Sequence, residues 1–410
     1  VTRPDEEGFA RCLAAAGPGP VGLAVSGGSD STALMHLALA HDPGRDWRVV
    51  TVDHGLRAGS AAEAAGVGRA AAALGLGHDI LCWQGWDRSG NLQDSARRAR
   101  QDLIRGWAAA RGIGAVCLGH TRDDQAETVL LRLARGSGVD GLSGMAESRA
   151  EPGLLWLRPL LGLRRAALRD WLRSEGIAWA DDPSNDDPRF DRVRARQMLA
   201  ACGDLGIDAE GLAETAARMA AAREVLGREA ARLAERIAGT MAGAVTLGEA
   251  LWQAPDETRW RLLAGAACFV SGNPYRPRLA ALRQAEAALA AGRSHTLHGC
   301  LMVPQKGGLR IQAEPRALEG VAAAGVPGIW AGWRIDGPQM AGLTVAALGE
   351  AGLSAAPGWR ESGLSWLHAQ VTPGLWQDGE LVAAPALLPA QWRAVPCRDR
   401  DAFIRSFLSH

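Results

Sequence analysis

Over the first third of the chain, apolar and polar positions alternate in blocks that separate strands from helices. Val21, Leu23 and Val25 are apolar at alternate positions and predict a short buried strand. Ser26-Gly27-Gly28-Ser29-Asp30-Ser31 breaks that pattern, and Ala33 to Leu39 continues in good helix formers. Trp47 to Val52 predicts a second buried strand, running into Asp53-His54-Gly55-Leu56-Arg57. An Ala-rich helix follows from about Ser60 to Leu74, then a third strand over Asp79–Trp83. Gly90-Asn91 opens a helix through Arg111, Ala115–Leu118 is a fourth strand ending in Gly119-His120, and a further helix begins near Arg122. Strands alternating with helices of this length predict an α/β fold, a doubly wound parallel sheet covered on both faces. Ligands of such sheets bind beyond the carboxyl ends of the strands, where the Ser26 loop, the Asp53-His54 stretch and the His120 segment all fall.

The pattern changes further along. A helix over Ala209–Ile237 carries Leu212, Met219, Leu226 and Leu233 at seven-residue spacing, an apolar seam for packing on another helix. Helices around Glu257–Ala267 and Arg278–Ala290 precede a hairpin formed by His295–Val303 and Gly307–Ile311 around a Gly-Gly turn. Residues 313–333 are rich in Ala, Gly and Pro and predict a linker. The chain therefore divides into a first domain over 1–205, a mostly helical second over 206–325 and a small mixed or β-rich third over 333–410. A length of 410 residues agrees with roughly two or three domains.

Composition narrows the class. A hydrophobic share of 47% with 22% charged residues is ordinary for a globular protein, and no apolar run reaches membrane length. The opening VTRPDEEGFARC lacks the apolar core of a signal peptide, so the expectation is a cytoplasmic protein with no membrane partner. The seven cysteines are scattered without a CxxC, which argues against a disulfide framework or a thiolate metal site. Formal net charge is zero, and Lys306 is the sole lysine among 45 basic residues, so contact with nucleic acid depends on arginines sharing a face.

Two clusters carry candidate chemistry. A strand, a Gly-rich turn and a helix start direct backbone N–H groups and the positive end of a helix dipole at one spot, which suits phosphate. Gly27 and Gly28 let the backbone approach an anion, and Ser26, Ser29 and Ser31 add hydroxyl donors. No lysine follows, so this is not the Walker pattern. Asp30 beside a phosphate makes sense with Mg²⁺ between them; the plain reading is a helix-start charge. In the second cluster, GHTRDDQAETVLLRLARGSGVDGLSGM, Asp124 and Glu127 are three apart on one helix face with His120 just ahead. The four-glycine tail reads as a linker or a lid, the lid being favoured over a nucleotide site. Arg97 and Arg100 lie three apart on the helix after Asn91, and Arg100 is the better placed to neutralise phosphate charge. Arg164, Arg165, Arg169, Arg173, Arg192, Arg194 and Arg196 flank the acidic DDPSNDD stretch, where most are expected to be solvated or paired with nearby Asp.

SGGSDS resembles the pyrophosphatase loop of the N-type ATP-pyrophosphatases, with their adenine-nucleotide α-hydrolase-like sheet. With DHGLR, the GN…AR.AR helix, GHTRDDQAET, the RGSG…GLSGM tail, RPLL (158–161) and GIAWADDPSNDDPRFDR (176–192), the first half of the chain is similar to the tRNA(Ile)-lysidine synthetases. That resemblance implies ATP-dependent adenylation of the wobble cytidine of tRNA(Ile) bearing a CAU anticodon, followed by displacement of AMP by L-lysine. It implies ATP held by Ser26–Ser31 with Asp53 and His54, Mg²⁺ on Asp30, and lysine held by Asp124 and Glu127. His120 serves as proton carrier or α-phosphate ligand, Arg100 stabilises phosphate charge, and Arg192, within the matched FDR, contacts tRNA. Val193 stands where an Asn often follows FDR, so a contact made by that Asn is lost. The C-terminal part resembles the family's tRNA-binding module in places but lacks its lysine-rich run. A homodimer is compatible with the sequence. Of the rivals, a tRNA thiolase is disfavoured by the missing CxxC, and an amidotransferase-type synthetase by the absence of a glutaminase arrangement. A non-catalytic nucleotide- or tRNA-binding module is disfavoured by intact Asp30, His120, Asp124 and Glu127.

Overall fold

The computed structural model describes residues 6–55, 59–83, 92–180 and 189–408. Leu56 and Arg57 of the DHGLR stretch, the Gly90-Asn91 helix start and the acidic run at 181–187 lie outside the described residues.

After α1 (Glu6–Ala14) come β1 (Val21–Ala24), α2 (Ser29–His41), β2 (Trp47–Asp53), α3 (Ser60–Ala73), β3 (Gly77–Cys82), α4 (Leu92–Ala110), β4 (Ala115–Leu118) and α5 (Arg122–Ala134). The one-turn α6 (Val139–Leu142), β5 (Ser148–Glu151), β6 (Leu154–Leu157), α7 (Arg165–Ser174), α8 (Asp191–Ala201) and the long α9 (Ala209–Ile237) complete this part. The strands form one sheet in the order β3-β2-β1-β4-β6-β5. All pairings are parallel except the β5–β6 edge hairpin. β1 lies between β2 and β4, so the chain winds one way to reach β3 and the other way to reach β6. The switch point falls between β1 and β4, and the crevice beyond their carboxyl ends is the natural ligand position.

Both faces of the sheet are covered, which is why adjacent strand residues are apolar rather than alternating. Leu23, Val49, Cys117 and Leu157 pack with α2 and α7 through Leu34, Met35, Leu168 and Leu172. Their neighbours Val50, Val116 and Trp156 pack on the other face with Ile104, Trp107 and Ala108 of α4. The β5–β6 hairpin was not part of the sequence expectation, because LLWLRPLL reads as one apolar run. Its outer strand places Glu151 beside Arg105 at 3.0 Å, a charged edge of the kind that discourages further strand pairing.

The glycine-rich segment expected as a lid is tied to α5. Gln125 Nε2 donates to the Met145 carbonyl at 2.9 Å, and its Oε1 accepts from the Met145 N–H at 2.6 Å. Arg132 Nη1 donates to the carbonyls of Gly141 and Gly144 at 2.8 and 2.9 Å. The segment is a brace for the helix that carries Asp124 and Glu127.

The chain divides into two compact units, Val1–Arg223 and Glu224–Ser409, with the boundary inside α9. In the second unit, helices Asp256–Ser271 and Leu279–Ala290 occur where the sequence places them. Helix alone does not describe this region, however. A five-stranded antiparallel sheet (238–241, 244–248, 308–313, 300–305, 295–297) shares a core with them, built on Leu262, Leu263, Val245, Leu247, Met302 and Ile311. The expected hairpin is present with two corrections: its turn is Lys306-Gly307, not Gly-Gly, and the first of its expected strands is two, 295–297 and 300–305. Residues 323–324 and 328–330, expected as linker, are strands of two further small sheets. Tryptophans 330, 333 and 392 are buried in the core of that part. No described helix is long and apolar enough to cross a membrane.

Candidate active site

The Ser26–Ser31 loop closes on itself at the N-terminus of α2. Gly27 adopts φ +90°, a conformation that costs a non-glycine residue. The Ser26 N–H donates to Ser31 Oγ at 3.1 Å, Ser31 Oγ donates to the Gly28 carbonyl at 3.1 Å, and Thr32 Oγ1 donates to the Gly27 carbonyl at 3.3 Å. These bonds hold a concave backbone turn ahead of α2, whose first N–H groups have no intrahelical acceptor and favour an anion. Asp30 stands in the first helical turn, its Oδ1 accepting from Ser29 Oγ at 3.1 Å.

The end of β4 passes directly against this loop. A Cβ on Gly119 would lie 3.1 Å from both Cα and N of Ser31 and 3.2 Å from the Asp30 carbonyl carbon. Backbone atoms cannot yield as a side chain can, so Gly119→Val is expected to displace the loop. An overpacking cost of about 1–3 kcal/mol corresponds to roughly tenfold or greater loss of nucleotide affinity. Calorimetric titration with ATP checks this, with unaltered far-UV dichroism; an unchanged affinity contradicts the packing argument.

Two residues on, Thr121 caps α5. Asp124 Oδ2 accepts from the Thr121 N–H and from Thr121 Oγ1, both at 2.8 Å, and the Asp124 N–H donates back to Thr121 Oγ1 at 3.4 Å. Half of this carboxylate therefore performs helix capping. Its other oxygen, Oδ1, faces Arg165 Nη2 at 3.0 Å and Arg192 Nη1 at 3.8 Å. Glu127, one turn further and only 2% exposed, accepts at Oε1 from Arg196 Nε at 3.0 Å and Arg165 Nη1 at 3.4 Å. Among the described residues its Oε2 is enclosed with no partner. Arg165 also reaches the phosphate loop, with Nε 2.7 Å from Asp30 Oδ2. One guanidinium thus touches Asp30, Asp124 and Glu127, so the loop and the acidic pair are a single site. Burial works to raise the Asp124 carboxyl, but Arg165, the Thr121 N–H and Arg192 outweigh it and hold it below the usual carboxylate range. Burial likewise opposes the charge on Arg165, and Asp124, Asp30 and Glu127 more than restore it.

On the β2 side, the Asp53 carboxylate accepts from the Gly55 N–H at 2.9 Å, fixing the turn after the strand. Hydrogen bonds from Ser60 and Gly55 keep it below the normal carboxyl range. The exposed Arg100 donates from Nε and Nη2 to His54 Nε2 at 3.2 and 3.0 Å. Burial and then Arg100 press His54 down to about 4, so it is a neutral acceptor. Arg100 thereby meets a histidine of the same site in this structure. His120, its Nδ1 enclosed without a partner among the described residues, is held neutral by burial, with Arg158, Arg192 and Arg97 adding to the effect against the pull of Asp124; its pKa falls to about 3.

An unfolded histidine takes up a proton near pH 6.5, whereas folded His54 stays neutral down to about 4. The unfolded state binds more protons in that interval, so stability falls as pH drops from 7 toward 5. His54→Gln is expected to reduce that fall, read as the difference between urea midpoints at pH 7 and pH 5. An equal fall in variant and parent contradicts the assignment.

A family model described as the PP-loop domain matches residues 3–201. The tRNA(Ile)-lysidine synthase of Ruegeria pomeroyi is 47% identical over 403 residues, covering 96% of this chain and 95% of the relative. That of Mesorhizobium japonicum is 42% identical over 350 residues, covering 80% of this chain and 75% of its own. That of a Methylobacterium species is 42% identical over 308 residues, covering 72% and 90%. The chain belongs to the tRNA(Ile)-lysidine synthase family. It is a ligase-type enzyme with a PP-loop ATP-binding domain.

In this lysidine synthase fold the residues expected from the sequence fall into two groups on one rim. Asp30, Asp124 and Glu127 meet through Arg165, and Arg192 leans on Asp124 with its side chain 42% exposed. His54 and Arg100 form the other group. Arg165, Arg196 and Arg169, whose Nε donates to Ser29 Oγ at 3.1 Å, were grouped in sequence with arginines expected to be solvated or paired. Arg165 ends RPLLGLRR, Arg169 follows it by four residues and Arg196 follows the Arg192 of FDR by four, which was the available signal; which partner each would meet was not.

Proposed function

We propose that this chain uses ATP to adenylate the wobble cytidine of tRNA(Ile) with a CAU anticodon and then joins L-lysine to C2 of that base, releasing pyrophosphate and AMP in a cytoplasmic setting. The observation that carries the reading is the single guanidinium of Arg165 in contact with both the phosphate loop and the acidic pair. A triphosphate and a cationic side chain would then lie close enough to act on one base.

In the first step the cytidine O2 attacks the α-phosphate and the bond to pyrophosphate breaks. The loop's N–H groups, the serine hydroxyls and the α2 N-terminus would take up the charge on the departing pyrophosphate. Among the described residues no group of three or more His, Cys, Asp or Glu could hold a metal, so any Mg²⁺ would be shared with phosphate oxygens, as this ion prefers. Asp30 fits as its protein carboxylate, and the ion when bound would add positive charge beside the leaving group. Arg100, with Arg97 and Arg192 close enough to act on it electrostatically, supplies a cationic wall for the α-phosphate or an anticodon phosphate.

In the second step the lysine amine attacks C2 and AMP leaves. Lysine arrives as an ammonium with a pKa of about 10.4 and must lose a proton. Glu127 and Asp124 Oδ1 hold the cation, and the partnerless Glu127 Oε2 is an acceptor ready for an N–H. Neutral His120 acts through hydrogen bonding, not as a cation on phosphate.

The test is transfer of labelled L-lysine to a tRNA(Ile) transcript with ATP and Mg²⁺. Incorporation that requires cytidine at the wobble position is expected. Sulfur incorporation, or AMP release driven by a small acceptor without tRNA, overturns the reading.

A further inference from the structure

The geometry points to Arg165 as a resident counter-cation that occupies the lysine site between turnovers and makes lysine binding depend on prior nucleotide binding. The inference rests on the lysine-site reading above. Arg165 opens α7, where its backbone N–H donates to Asp123 Oδ2 at 2.7 Å, so the main chain is anchored and the side chain alone is free to move. That side chain is 16% exposed and its three nitrogens are divided among Asp30, Asp124 and Glu127 at 2.7, 3.0 and 3.4 Å. These are the same carboxylates that would hold a magnesium–phosphate complex and an ammonium group.

Charge matching makes the two ligands interdependent. Asp30, Asp123, Asp124 and Glu127 are matched by Arg164, Arg165, Arg192 and Arg196. An ammonium entering this set alone adds an unmatched positive charge next to Arg165 and meets carboxylate oxygens already engaged. A polyphosphate at the adjacent loop supplies anionic oxygens beside Asp30. The guanidinium can then turn to them while Arg169, one helical turn along α7 and already on Ser29 Oγ at 3.1 Å, marks the same direction. Asp124 Oδ1 and Glu127 Oε1 then exchange their Arg165 contacts for lysine while keeping Arg192 and Arg196. The order is nucleotide first, amino acid second. Arg165 is in this sense a positioning residue.

Calorimetric titration of L-lysine into the full chain, with and without α,β-methylene-ATP and Mg²⁺, reads this directly. Wild type is expected to bind lysine roughly tenfold or more tightly with nucleotide present. Arg165→Ala is expected to bind lysine without nucleotide about as well as wild type does with it, so the ratio falls toward one. Arg165→Gln, which retains hydrogen-bonding groups but no charge, is measured alongside and is expected to lose the coupling as well. Equal lysine affinity in the two wild-type titrations overturns the inference alone, as does a tenfold ratio that persists in both variants. No lysine binding by wild type in either state overturns the lysine-site reading and the inference with it.

Discussion

Asp30→Asn is expected to lower ATP-dependent AMP and pyrophosphate formation on tRNA by roughly 10³-fold. Asp30 is the sole carboxylate in the turn that leads from the loop into α2, and its two oxygens face a loop hydroxyl and Arg165. The amide preserves shape and the Ser29 contact while removing the negative charge that would hold Mg²⁺ against the leaving phosphates. The loss therefore belongs to the first step and appears as reduced pyrophosphate release at saturating ATP and lysine. The substitution also loosens Arg165, so lysine affinity should not fall. A variant with normal pyrophosphate release and a raised lysine requirement contradicts the division of roles.

Glu127→Gln is expected to give the complementary result, a roughly 10- to 100-fold higher lysine requirement with adenylation of tRNA nearly unchanged. The range follows from the loss of one charge-assisted hydrogen bond, about 1.5–3 kcal/mol. Glu127 is almost wholly buried and serves Arg165 and Arg196 through one oxygen, while the other has no partner among the described residues. Glutamine is preferable to alanine because truncation leaves two guanidinium groups facing an empty space. The measurement is the lysine concentration giving half-maximal lysidine formation, beside a lysine-free assay of adenylation. Equal losses in both assays indicate that Glu127 organises the whole site.

The catalytic sheet was legible because β1 to β4 are short apolar runs, each broken by Gly, Asp or His at the carboxyl end. Those breaks are also where ligands go in a parallel sheet, so Asp30, His54, His120, Asp124 and Glu127 emerged together from pattern and family resemblance. What the sequence withheld is the work of long side chains. Eight arginines lie from 164 to 196, and spacing does not say that Arg165 joins three acids while Arg173 merely pairs with Asp170. Asp124 shows why competing readings need not exclude each other: one oxygen caps α5 and the other faces the arginines. Linker and lid both stayed open for the glycine-rich tail because glycine content reveals freedom in the unfolded chain, whereas the contacts of Gln125 and Arg132 that tie it to α5 are invisible locally. In the second unit, strands of two to six residues rich in Ala and Gly carry little period-two signal, so helices were found and most of the sheet was not.

Incubation of the protein with tRNA(Ile) and ATP labelled at the α-phosphorus, in the absence of lysine, tests the central claim most directly. The account predicts that label enters the tRNA at the wobble cytidine and is released as AMP when lysine is added. Label that never joins the tRNA while ATP is cleaved, or joins it and is not displaced by lysine, contradicts a single rim serving both steps.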